Sequence, residues 1–139
     1  MELRLTKEKL LPYIINVKGA DMRLNYKLWL EEEQRMFGDG PCQILELVDE
    51  LGSLRQAAAE INMSYSQAWK LIKKLEERLG FKLLDKQVGG SSGGGSKLTD
   101  KGRIITKNFS AFRKEAEKCL DELENKYFDD EFYKKLDLS

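Results

Sequence analysis

Along this chain the apolar positions first alternate and then recur at helical spacing. Residues 24–30, "LNYKLWL", set Leu24, Tyr26, Leu28 and Leu30 against Asn25, Lys27 and Trp29, the period of a strand with one buried face. A turn, "EEEQ", and a short run "RMF" ending at Gly38 complete a predicted N-terminal hairpin. From Asp39 the period lengthens. "DGPCQILELVDELGS" reads as a helix capped at Asp39 or Gly40, with Pro41 in its first turn and Gly52 as its stop. Ile44, Leu45, Val48 and Leu51 form its buried stripe. Ser53 caps a short second helix, "LRQAAAEI", whose Ala57, Ala58 and Ala59 allow close helix packing, and Asn62 stands where a left-handed residue would end it. Ser64 opens a third helix, "YSQAWKLIKKLEERL", which stops at Gly80. Ala68, Ile72, Leu75 and Leu79 make its apolar face, broadened by Leu71 and Trp69. Ser66, Gln67, Lys70, Lys73, Lys74 and Glu77 lie opposite.

A helix, a short helix, a tight turn and a longer helix with a basic outer face make a helix-turn-helix, whose last member enters the DNA major groove. The helical pattern alone fits equally an ordinary three-helix bundle with a solvated Lys/Glu face. The next segment decides between them. "FKLLDKQV" has the apolar content of a strand, "KLTDKG" holds a second short strand and the helix cap Thr99, and "GGSSGGGS" joins the two. A linker would have a self-sufficient unit on each side, yet the C-terminal side is mostly one helix. The glycine run therefore reads as the tip of a wing. Gly89, Gly90, Gly93, Gly94 and Gly95 let backbone N–H groups approach a phosphate or the minor-groove floor, and Ser91, Ser92 and Ser96 add hydroxyls. Lys86 and Lys97 flank the tip with charge. The expected base readers are Ser66, Gln67 and Lys70, with Tyr65 reaching a base or a phosphate. Lys70, Lys73, Lys74, Lys86 and Lys97 are the expected phosphate contacts.

From Asp100 the chain is predicted to be helical for about seven turns. Ile105, Phe109, Phe112, Ala116, Cys119 and Leu123 step by 4, 3, 4, 3 and 4, a heptad seam. Ile105 and Phe109 could pack on the chain's own core. A helix of about 40 Å outruns a small winged domain, so the distal seam is expected to meet a twin subunit. Phe109, Phe112, Ala116, Cys119 and Leu123 are the expected dimer contacts.

Charge sharpens this picture. The net charge of the 139 residues is zero, which also permits a winged helix serving as a protein-interaction adaptor without DNA binding. By segment the balance is −3 over residues 1–52, +6 over 53–107 and −3 over 108–139, a basic middle between acidic flanks. With no His, imidazole catalysis and His-ligated metals are excluded, and Cys42 and Cys119 are too sparse for a metal site or a disulfide framework. The glycine run lacks the Lys-Ser/Thr of a phosphate loop, and acidic pairs such as Glu76 and Glu77 sit on solvated helix faces. Neither an enzyme nor a cofactor is expected. No stretch has the roughly 18 apolar residues of a membrane span and no signal peptide is legible, so a cytoplasmic protein is expected.

Together, "KLWLEEE…FGDG", "GSLRQAAAEINMSYSQAWKLIKKLE" and "GG…GGGSKLTDKG" resemble the N-terminal DNA-binding domain of ModE-type molybdate-responsive regulators, from about Leu24 to Tyr127. The broader relatives are LysR-type winged helices, which lack the long glycine tip. The resemblance implies DNA contact by Ser64, Tyr65, Ser66, Gln67, Lys70 and the 89–97 tip, and pairing of two subunits through the long C-terminal helix. The molybdate-binding domains of the full-length regulators have no counterpart here, so no molybdate site is expected in this chain. The expected fold is mainly α with small β: a winged helix-turn-helix with an N-terminal hairpin and a long dimerisation helix. The expected organisation is an N-terminal extension (1–22), the winged domain (23–99), the dimerisation helix (100–128) and a tail (129–139).

Overall fold

Why the chain folds where it does is clearest at the helix ends. A computed structural model describes residues 22–87 and 95–137. The first helix, α1 (Asp39–Leu51), follows the extended Gly38 and ends at Gly52, whose φ of 72° is open to glycine at no steric cost. The expected cap at Asp39 or Gly40 is thus corrected by one residue. Asp39 has another use: its Oδ2 accepts from Leu28 N at 3.0 Å while its own N–H donates to Leu28 O at 3.1 Å. Helix α2 (Leu54–Glu60) starts at Ser53, whose hydroxyl accepts from Gln56 N, and Asn62 comes after it at φ 55° as the left-handed residue expected there. Ala57 and Ala58 are fully buried, whereas Ala59 faces solvent. Helix α3 (Tyr65–Leu79) begins with a full capping box between Ser64 and Gln67 and stops at Gly80, φ 78°.

The strands are short. β1 (Trp29–Glu31) pairs antiparallel with β2 (Arg35–Gly38), and β3 (Leu84–Gln87) with β4 (Gly95–Leu98). The strand expected over 24–30 is corrected to Trp29–Glu31, all three exposed. Leu24 and Leu30, expected to be buried, are 41% and 49% exposed. The reason is pairing: β2 offers four residues, and the register shifts between Leu30 and Glu31. Alternation without a partner strand does not make a sheet.

The chain divides into two compact units. Among the described residues, one unit lies within 27–111; the other combines residues 22–26 with residues 112–137. The core of the first unit gathers Phe37, Ile44, Leu45, Val48, Ile72 and Leu83, with Phe109 edge-on to Phe37 at a centroid distance of 5.4 Å. Phe109 comes from α4 (Asp100–Tyr127), whose N-terminal part belongs to this unit. In the second unit the rest of α4 carries the segment before β1: Leu24 N donates to Glu124 Oε1 at 3.0 Å. The short α5 (Asp130–Lys135), capped by Asp129, adds a buried Tyr133 whose hydroxyl donates to Met22 O at 3.1 Å.

Candidate nucleic-acid interface

The helix-turn-helix consists of α2, the turn at Asn62 and α3, packed through Ala57, Ala58, Ala68 and Ile72. Ser66, Lys70 and Lys74 project from the outer face of α3 and are exposed, and among the described residues no carboxylate pairs with either lysine.

Other expected readers are differently employed. Ser64 is the helix cap, its hydroxyl taken by Gln67 N at 3.1 Å. Gln67 turns back on its own helix start, where its Oε1 accepts from Ser64 N at 3.2 Å. That leaves its amide NH₂ and one lone pair of the oxygen for a base. Lys73 is ion-paired with Glu76 at 3.0 Å. Tyr65 is exposed, but the Arg55 guanidinium lies 4.6 Å over its ring. Trp69, read from the sequence as part of the buried face, is 40% exposed, with Lys73 Nζ 5.6 Å above its ring. It lies one turn beyond Tyr65, between the buried stripe and the outer face.

The wing strands pair Leu84 with Leu98, Asp85 with Lys97, Lys86 with Ser96 and Gln87 with Gly95. Directly opposed residues share a face and neighbours along a strand do not, so Lys86 and Lys97 lie on opposite faces of the hairpin. Both are exposed. Lys97 has the Asp85 carboxylate as its cross-strand neighbour, which dilutes its charge. Gly95 is a packing position: a Cβ there would stand 2.6 Å from Gly52 O, and Ser96 N donates to that same carbonyl at 2.9 Å. Gly89, Gly90, Ser91, Ser92, Gly93 and Gly94 lie outside the described residues.

What holds the wing to α3 is Glu76. Glu76, read from the sequence as solvated, is 8% exposed. Its Oε2 accepts from Leu83 N at 2.7 Å and from Leu84 N at 3.3 Å, satisfying two backbone donors where the chain leaves α3 for β3. A signal for this exists: Glu76 continues the spacing of Ala68 and Ile72, a carboxylate inside an apolar stripe. The "LTDKG" motif is structural too. Thr99 Oγ1 accepts from Gly102 N at 2.9 Å and donates to Lys82 O at 2.6 Å, and Gly102 sits so close to Leu83 O that no Cβ fits between them.

Of the expected dimer contacts, Phe109 is corrected: it is 3% exposed within the first unit's core, because Phe37 offers it an aromatic edge. In the second unit Ala116 is half-buried, Cys119 is exposed, and Phe112 and Leu123 are 53% and 49% exposed. Among the described residues no group of three His, Cys, Asp or Glu could hold a metal ion, and no helix is long and apolar enough to cross a membrane.

Comparison with known proteins agrees with this geometry. Residues 42–103 match the family of bacterial regulatory helix-turn-helix proteins, lysR family. The molybdenum transport protein ModE of Azotobacter vinelandii is 34% identical over 85 residues, which cover 61% of this chain and 32% of that protein. The DNA-binding transcriptional dual regulator ModE of Escherichia coli K12 is 27% identical over 103 residues, 73% of this chain and 39% of that protein. The chain thus spans between about a third and two fifths of the length of these curated relatives. Among solved structures, a point mutant of Lactococcus lactis ZitR shares the fold at a TM-score of 0.53 and 20% identity, covering 94% of this chain and 88% of its own. The BenM DNA-binding domain, solved as a complex with benA site 1 DNA, does so at 0.50 and 20%, covering 62% and 91%. From Cys42 to Arg103, then, this chain has a winged helix-turn-helix fold and is similar to the ModE regulators and to the lysR family of helix-turn-helix proteins.

Proposed function

We propose that this protein is a dimeric, sequence-specific DNA-binding regulator of transcription, acting through α3 and the wing. The observation that carries the reading is the outer face of α3: Ser66, Lys70 and Lys74 stand exposed, the two charges unpaired among the described residues, in one unit with a lysine-bearing wing. A hydroxyl and a long cation suit base edges and phosphates, and the ladder-paired strands give the wing lysines a fixed base. The names of the relatives, a DNA-binding regulator among them, point the same way. A single winged helix reads few base pairs, so a second copy is part of the proposal. The exposed run Phe112, Cys119 and Leu123, with Ala116 beside it, is the surface it would use. Two recognition helices on one face of the duplex call for an inverted repeat with half-sites about 34–36 Å apart, or a multiple of that.

Selection of duplexes from genomic fragments, followed by salt titration of the best site, tests the reading. Affinity should fall linearly on a log–log plot, with a slope of about −0.9 for each phosphate neutralised. Absence of a preferred duplex, or a flat salt response, would overturn it. Sedimentation of Phe112→Glu tests the pairing: the variant should be monomeric, with the winged unit still folded. A wild type that is itself monomeric at micromolar concentration would remove the dimer.

A further inference from the structure

One flank of α3 carries two aromatic rings a turn apart, Tyr65 and Trp69, each with a cation over it. The two cations differ in what else holds them. Lys73, over Trp69, is already matched by the Glu76 carboxylate at 3.0 Å. Arg55, over Tyr65, sits on the exposed side of α2, and among the described residues no carboxylate pairs with it. Its guanidinium therefore has support for its face and no partner for its charge. Stacking on a ring leaves the in-plane N–H donors of a guanidinium available, and their fork geometry matches phosphate oxygens. The ring also restricts the side chain beforehand, so less freedom is lost on contact.

Placement matters as much as chemistry. Arg55 belongs to the first helix of the pair and Tyr65 is the first residue of the second. A phosphate bound there would be gripped from α2 and would locate the start of the recognition helix along the backbone, without touching a base. We propose that Arg55, held on the Tyr65 ring, is a phosphate-contacting residue that sets the position of α3 on the duplex; this rests on the DNA-binding reading above. Tyr65 then supports Arg55, and base reading falls to Ser66 and Lys70.

The test compares wild type with Arg55→Gln, Arg55→Lys, Tyr65→Phe and Tyr65→Leu, by anisotropy titration on the selected duplex and on an unrelated one across a salt series. Arg55→Gln should weaken both duplexes by the same factor, on the order of tenfold or more, and make the salt slope shallower by about 0.9 for each bound subunit, about 1.8 for a dimer. Arg55→Lys should restore the slope and only part of the affinity. Tyr65→Phe, which keeps the ring, should lose less affinity than Tyr65→Leu, and both should keep the salt slope of wild type. An unchanged slope in Arg55→Gln overturns the proposal. So does a changed ranking of sequences in that variant, or equal loss of slope in Arg55→Lys. A wild type with no salt-dependent duplex binding overturns this proposal and the regulator reading together; a wild type that binds beside an indifferent Arg55→Gln overturns this one alone.

Discussion

The two hairpins of the winged unit are both two-stranded, and they are held in opposite ways. A pair of strands that short is not stable alone, so each must borrow its stability. The β3–β4 hairpin borrows through its base. Glu76 satisfies Leu83 N and Leu84 N, Thr99 N donates to Leu83 O at 3.0 Å, Ser96 N donates to Gly52 O, and Leu83 and Leu98 are buried. The β1–β2 hairpin borrows through one end. Phe37 enters the core, Gly38 packs against Trp29 Cβ, and Arg78 donates to Arg35 O at 3.0 Å. Its outer surface carries exposed contacts: Arg35 lies 4.2 Å over the Trp29 ring, and Trp29 Nε1 donates to Glu31 Oε2 at 2.6 Å. The difference teaches where stiffness is invested. Four regular pairs on a buried polar anchor present the wing at a set place beside α3, whereas the N-terminal hairpin, with its shifted register, closes one end of the core.

Substitutions that attack each anchor should separate the hairpins by magnitude. The largest effect is expected from Glu76→Ala, which strands a buried N–H at Leu83 and leaves Lys73 without its partner. A loss of ~2–4 kcal/mol in urea unfolding is expected. If the loss were no larger than for removal of Trp29, the contrast would collapse. Next comes Gly102→Ala. Alanine is the better helix former by about 1 kcal/mol, yet here its Cβ meets the Leu83 carbonyl. A net destabilisation of ~1–2 kcal/mol is expected. A melting temperature at or above wild type would mean that the wing base yields without cost.

Gly38→Ala probes the other hairpin in the same way, since its Cβ would stand 2.8 Å from Trp29 Cβ and 2.9 Å from Leu28 O. The exposed β1 strand can shift aside, so about 1 kcal/mol is expected by thermal melting. Loss as large as that of Gly102→Ala would show both hairpins to be equally rigid. The smallest effect belongs to Trp29→Ala, which removes an exposed cation–π contact; ~0.5–1 kcal/mol is expected, with DNA affinity unchanged. Weakened DNA binding in that variant would assign the N-terminal hairpin a part in the complex.

Much of the helix-turn-helix is legible in the sequence because its signals are local. Ser53, Asn62, Ser64 and Gly80 act on the backbone beside them, and α3 begins and ends where the sequence places it. The candidate site is legible in outline only. Ser66, Lys70 and Lys74 are exposed as the period requires, but Gln67 and Lys73 are drawn into neighbouring bonds that depend on side-chain reach rather than on helical angle. Arg55 escapes a reading of the sequence because its meaning comes from Tyr65, which lies across a turn on the next helix.

The division follows from range. Helical period, caps and left-handed turns arise from interactions within a few residues, so the order of α1 to α3 and the bounds of α3 were in the sequence by itself, as was the apolar stripe of α4. What covers a stripe is a question of which surfaces meet. Phe109 is buried because Phe37 arrives from β2, whereas Phe112, the next position of the same stripe, stays half-exposed. Glu76 stands in the apolar stripe of α3, but its partners arrive only when the chain returns at Leu83 with two N–H groups to be satisfied. Long-range pairing of that kind is decided only when the tertiary structure forms, since each partner's desolvation cost is met by a group that the local sequence does not contain.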